Sequence, residues 1–304
     1  MNETLSLKID RDICFSDTKG KHRPRQEKRS LKALAKLSPL LRRVLESDEQ
    51  VLYVTQGSSP YSTLEYLTTG KFIRLVKFSI LLVTDRRLLH LPAKSLFKPK
   101  GAVAEVRFAD LARARRHGIL GTLELEYRSG KKEKFKGVPL GQIDKLVSLL
   151  DERAGQGTPS PNAMRRALCP RCTTAQTPDV FTCPSCQFEF KSKSTAMLLS
   201  LLVPGGGYFY VGQKMLGFFD ALFESVLILL VAVSASDAIG GDPDALSAAI
   251  AFGVVLAFEK AVTIYHANHA VKDFLPRRLK DLSAPAVSQT AMPAGGAFAA
   301  PLEP

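Results

Sequence analysis

The sequence predicts a multidomain α+β chain: a β-rich unit closed by a helix, a small four-cysteine module, and a helical hairpin able to sit in a membrane. Three observations predict it. Short runs with apolar alternation fill residues 47–153, four cysteines stand as two C-P-x-C pairs, and residues 195–271 are apolar and almost free of Lys and Arg. At 304 residues the chain has room for two or three domains, and a net charge of +13 implies an anionic neighbour, either nucleic acid or a phospholipid surface.

Residues 1–46 form a basic arm. The opening "MNETLSLKIDRDICF" has no apolar signal core, so the single Cys14 is expected as a reduced cytosolic thiol. Residues 19–43 hold ten Lys or Arg and one acid, Glu27. Within "KRSLKALAKLSPLLRRVLE", Leu31, Leu34, Leu41, Val44 and Leu45 fall on one helical side, interrupted by Pro39. A basic amphipathic helix fits the cytoplasmic leaflet, or it packs on the β-rich unit.

The β-rich unit spans 47–153. "QVLYVTQ", "FSILLVT", "RLLHLPA", "AVAEVRF", "TLELEYR" and "KEKFKG" read as strands, with Ser129-Gly130 at a hairpin turn. After Pro139, Leu140, Ile143, Leu146, Val147 and Leu150 share a helical face. The segments "DEQVLYVTQG", "LLVTDRRLLHL" and "GTLELEYRSGKKEKFKGVP", in this order, resemble bacterial pleckstrin-homology-like (GRAM-type) domains. That resemblance implies a β-barrel with a C-terminal helix that binds lipid or peptide. Basic residues at Arg86, Arg87, Lys94, Lys98, Lys100, Arg113, Arg115, Arg116 and 131–136 either face headgroups or are solvated loop charges.

A Gly/Pro/Ser linker, 154–167, leads to the cysteines. Cys169 and Cys172 pair as one C-x-x-C, Cys183 and Cys186 as another, with ten residues between the pairs. Thiolates at this spacing suit one tetrahedral zinc, against two disulfides or a redox C-x-x-C. Pro170 and Pro184 stiffen the turns, and residues 168–190 resemble zinc ribbons. All four ligand positions are filled by protein, so the expected zinc is structural: a closed site folds its module and activates no water.

Residues 194–275 are read as a membrane domain. Its first apolar segment is broken by Pro204 and the glycines Gly205, Gly206 and Gly207, which predicts a short helix and a re-entrant or interfacial turn. Leu216–Ile239 and Leu246–Val271 are each long enough to span a bilayer. Asp237, Asp242 and Asp244 lie between them, while Lys191, Lys193 and Lys214 precede and Lys272, Arg277, Arg278 and Lys280 follow. The positive-inside rule then puts both termini in the cytoplasm.

"PGGGYFYVGQKMLG" is similar to the signature of a small two-span membrane domain family, matched by Phe209, Tyr210, Val211, Gly212 and Gly217. Gly207 and Tyr208 replace that family's His-Arg. Small residues there also serve close helix packing, and tyrosines serve the headgroup level. Residues 281–304 read as a disordered Ala/Pro-rich tail.

Charges inside the spans must pair. Asp220 and Glu224 lie one turn apart near the start of one span, and Glu259, Lys260 and His266 toward the end of the antiparallel other, at comparable depth. A structural Glu224–Lys260 pair with His266 near the interface is one expectation; a proton or metal site lined by Glu224, Glu259 and His266 is the other.

No Walker loop, G-x-S-x-G or H-E-x-x-H occurs, and Asp85 and Asp110 fit turns better than catalysis. The expected function is therefore non-enzymatic: a bacterial-type, multi-pass inner-membrane scaffold engaging an unknown protein or lipid. The alternatives are a membrane-tethered nucleic-acid binder or a component of a small transporter that oligomerises through its spans. Between the cysteine pairs, "TTAQTPDVFT" offers no Lys or Arg and one aromatic, Phe181, which argues against nucleic acid.

Overall fold

A computed structural model describes residues 7–96 and 98–279; the tail expected at 281–304 lies outside the described residues, as does Lys280. A one-turn helix α1 (Arg11–Cys14) and a long α2 (Pro24–Val44) precede strand β1 (Val51–Ser58). A helical insert follows, α3 (Thr63–Thr69), a 3-10 turn (Gly70–Phe72) and α4 (Ile73–Val76). Then come β2 (Phe78–Thr84), β3 (Arg87–Ser95), β4 (Lys98–Pro99), β5 (Val103–Arg107), β6 (Leu111–His117), β7 (Thr122–Tyr127), β8 (Lys132–Phe135), α5 (Leu140–Asp151) and β9 (Arg166–Leu168). The remainder is helical: α6 (Lys193–Leu202), α7 (Gly206–Tyr210), α8 (Lys214–Ile239) and α9 (Pro243–Val271).

The strands form two antiparallel sheets, one ordered β1-β2-β3-β5-β9 with β4 on β3, the other β6-β7-β8. Alternation along β2 explains its unbroken apolar run. Leu81 and Val83 enter a core shared with the second sheet and α5, through Leu123, Leu125, Phe135, Ile143 and Leu146. Ile80 and Leu82 face the other way, against α2 through Leu34, Leu37 and Leu41. A strand covered on both faces reads as continuously hydrophobic.

One expectation changes, and of the two readings of α2 the packed one holds. The sheets are not closed into one barrel: β9 takes the edge of β5, pairing Val103 with Leu168, and the end of β1 meets the residue after β8 at the isolated bridge Ser58–Lys136. The apolar side of α2 is buried on the first sheet, so it is not spread on a lipid surface. Leu34, Leu41 and Val44 are among its buried residues, with Leu37 and Leu40 added. The helix runs through Pro39, which gives up one intrahelical donor at a solvent-facing position.

Nor is 154–167 a free spacer. Ser160 donates to Asp110 through backbone and hydroxyl (2.6 and 2.9 Å), and Arg165 reaches Glu133 at 3.1 Å. Arg165 Nη1 lies 3.3 Å from Nδ1 of the fully buried His90, whose Nε2 lies 2.9 Å from Ser59 Oγ. Because a guanidinium only donates, Nδ1 accepts and the Nε2–H tautomer is fixed. Burial, and next the Arg165 charge, hold the His90 imidazole well below its usual range. The unfolded chain therefore binds the extra proton below pH ~6.5, so stability is fully present above that pH and is lost as pH falls, by up to ~1.4 kcal/mol per unit. Denaturant unfolding of the detergent-solubilised chain at stepped pH is expected to show this slope. His90→Gln should remove that component; an unchanged slope would show that His90 is not its source.

The helices α8 and α9 are 26 and 29 residues long, with mean hydropathy 2.2 and 1.8, long and apolar enough to cross a membrane. Only 17% and 6% of their most apolar windows are buried. Phe218, Phe219, Leu229, Val254 and Phe258 stand exposed, unlike the core helices of a water-soluble fold. The turn between α8 and α9 is closed by Asp242, whose carboxylate accepts from the Asp244 N–H at 2.9 Å ahead of Pro243 at the first helical turn.

Candidate metal centre and the glycine-turn polar cluster

Each cysteine pair folds into the same knuckle. The Thr173 N–H donates to Cys169 O (2.9 Å) and the Gln187 N–H to Cys183 O (3.0 Å), with both donor residues at positive φ (61° and 56°). Cys169 N–H in turn donates to Thr174 O, and Cys183 N–H to Phe188 O, both at 2.9 Å. The knuckles bring all four sulfurs within 4.8 Å of one another without a disulfide. Cys169 and Cys186 are 3.6 Å apart and Cys172 and Cys183 3.5 Å. Thiolates ~2.3 Å from one tetrahedral ion stand ~3.8 Å apart. The cluster is compatible with a metal ion, and its donor set is all sulfur. Cys14 is elsewhere, and burial pushes its thiol up to about 12, as befits an unreactive side chain.

The module is held on two sides. Leu168 and Ala167 join β5 on one, while Phe190 bridges Pro276 and the Lys191 N–H donates to Leu275 O (2.9 Å) on the other. Phe188, Phe190 and Phe274 pack with Cys169 and Cys183. Between module, sheet and helix ends lies a cavity of about 550 Å³ lined by Met164, Arg166, Gln176, Phe181, Lys193 and Lys272 among others. Two polar atoms of its walls, Arg166 Nε and Gln176 Oε1, are buried without a partner. Comparison with protein-family models, curated proteins and solved structures finds no match.

The glycine turn is a packing device. Gly205 has φ 66°, and a Cβ there would stand 2.1 Å from Gly217 O; on Gly207 it would stand 2.0 Å from Ser200 Oγ. Phe209 lies against Gly217, where a Cβ would come within 2.8 Å of its ring. Tyr210 OH accepts from the Ser192 N–H at 3.0 Å, closing α7 onto the start of α6, and Gly212 continues the turn at φ 82°.

Glu224, 1% exposed, pairs with Lys260 through Oε1, and its Oε2 accepts from the Gly205 N–H at 3.1 Å. Lys260 also donates to Ser200 O at 2.7 Å. The expected pair thus forms, and it fastens the turn. Asp220, Glu224 and Glu259 gather within 4.8 Å. The Thr263 hydroxyl lies 2.7 Å from Glu259 Oε1 and 3.3 Å from Asp220.

His266 does not line that cluster, which corrects the expected Glu224–Glu259–His266 site. It lies 2.6 Å from Thr68 Oγ1 and 3.3 Å from Thr69 Oγ1 on the helical insert, so it joins the β-rich unit to α9. The sequence reading missed that insert. Its signal was present: Ser62 and Glu65 form a capping box, the S-x-x-E that opens a helix.

Several of the basic loop residues find acids, and Lys100 finds a backbone carbonyl. Arg87 holds Glu49 (2.7 Å) and Glu105 (2.6 Å), Arg116 holds Asp144 (3.2 Å), Lys134 holds Glu124 (3.2 Å), and Lys100 donates to Val76 O (2.8 Å).

Proposed function

We propose that this chain is a membrane-anchored, non-enzymatic binding or scaffolding protein with a structural zinc held by Cys169, Cys172, Cys183 and Cys186. The hairpin α8–α9 crosses the bacterial inner membrane with both termini in the cytoplasm, a reading that the Lys and Arg flanks support. The β-rich unit is read as an open pleckstrin-homology-like domain, which four meandering strands, three more and a closing helix support. The observation that carries the reading is the closed four-thiolate cluster clamped between β5 and the end of α9. Such a joint sets the cytoplasmic domain in a fixed pose above the bilayer.

The cavity beside the joint is where a ligand would dock, since Met164, Phe181 and Phe274 line it together with Lys272 and Arg166, and two polar atoms lack partners. A photo-crosslinking side chain at Met164 in the full-length protein in intact cells is expected to give a discrete adduct that Arg166→Glu abolishes. No adduct from Met164 or from Phe181 would overturn the binding reading.

A further inference from the structure

The insert Thr63–Val76 departs from what a water-facing helix carries. Leu67 is 73% exposed, Leu75 65%, Phe72 60% and Leu64 51%. Its acid, Glu65, is buried against Lys77 at 2.7 Å, so the charges it leaves on the surface are Lys71 and Arg74. An exposed face of Leu and Phe rimmed by cations is what lies in a bilayer interface.

The insert's height is fixed by polar contacts to the last turns of α9. Ser62 Oγ meets Tyr265 OH at 3.0 Å, Thr68 meets His266 at 2.6 Å, and Glu65 lies 3.5 Å from His269. Tyr265 is six residues from the end of α9 at Val271, or ~9 Å at 1.5 Å per residue. About 20 residues cross the hydrocarbon, so a 29-residue helix keeps its last turns among the headgroups. The insert is docked at that depth, on the side of Lys272 and Arg277, where the leaflet is anionic.

We propose that the insert Thr63–Val76 is a second membrane contact, seated in the headgroup layer of the cytoplasmic leaflet with Leu64, Leu67, Phe72 and Leu75 against acyl chains and Lys71 and Arg74 on anionic phospholipid. This rests on the membrane reading of α8–α9. It gives the insert the surface role that the sequence offered to α2, whose apolar side is already covered. The contact would pin the β-rich unit at a second point and stop it pivoting about the helix ends.

The test uses the full-length protein in vesicles of phosphatidylcholine and phosphatidylglycerol containing quencher-labelled lipids. An environment-sensitive fluorescent amino acid is placed at Leu67 or Phe72, with Leu229 in the span and the exposed Ile119 in the β6–β7 turn as references. Emission from positions 67 and 72 is expected to shift blue and to be quenched several-fold more than from 119, more by shallow than by deep quenchers. Position 229 should respond to the deep ones. Lys71→Glu with Arg74→Glu should reduce quenching at 67 in anionic vesicles and leave neutral vesicles unchanged. Quenching at 229 with 67 and 72 behaving like 119 overturns the contact and leaves the membrane reading standing; an unquenched 229 overturns the membrane reading itself. A blue shift at 67 without lipid quenching means that protein, from a partner or a second copy, covers the face, which also overturns the contact.

Discussion

Full-length Cys183→Ser protein is expected to carry no zinc, against one ion per chain in the unsubstituted protein, by elemental analysis of the purified material. The effect is large because the module has no independent core: Leu168 packs into the first sheet, and Phe188 and Phe190 pack on the sulfurs and on Phe274. In small peptides structural zinc contributes about 10–16 kcal/mol to folding, and a closed site that loses one thiolate loses most of that. Leu168–Lys191 should then become sensitive to protease. The bond from Lys191 N–H to Leu275 O and the Phe190–Pro276 bridge should go with it. The cores around Leu81 and Leu34 involve none of the four cysteines and should persist. Iron in place of zinc, or full metal content in the serine variant, would sink the assignment.

Lys260→Met is expected to lower stability by about 3–5 kcal/mol, because it strands the Glu224 carboxylate in a buried site. Adding Glu224→Gln should recover much of that loss. The glutamine oxygen can still accept from the Gly205 N–H, which keeps the turn closed, and no unpaired charge remains at 224. A simple exchange, Glu224→Lys with Lys260→Glu, should recover less, since a lysine at 224 has no acceptor for Gly205 and a carboxylate at 260 cannot donate to Ser200 O. Unfolding in mixed micelles measures all four proteins. If Glu224→Gln with Lys260→Met is no more stable than Lys260→Met alone, the pair is not the source of the loss.

The sequence by itself determined the features that depend on local spacing. Two C-P-x-C pairs can present four sulfurs to one ion whatever surrounds them, because each knuckle is built by backbone bonds within five residues. Six strands of the β-rich unit were legible from short apolar or alternating runs; β6, where "LARARRH" carries few apolar residues, and the two- and three-residue β4 and β9 were not. Glu224 and Lys260 could be matched because the short connection at Gly240–Gly241 leaves two antiparallel helices whose depths follow from residue counts.

What only the tertiary structure decided was which surface covers which. The leucine stripe of α2 looks the same whether lipid or a sheet lies against it, and only the outward face of the first sheet, with Ile80 and Leu82, chose between them. His266 reads as one more polar group in a span until the insert brings Thr68 to its ring, a contact 198 residues apart in sequence. In place of the barrel implied by resemblance, the edge of β5 is taken by β9, mostly from a segment read as linker. These outcomes rest on contacts between distant segments, whose free energies are settled by the packed whole and leave no periodic trace in either segment alone.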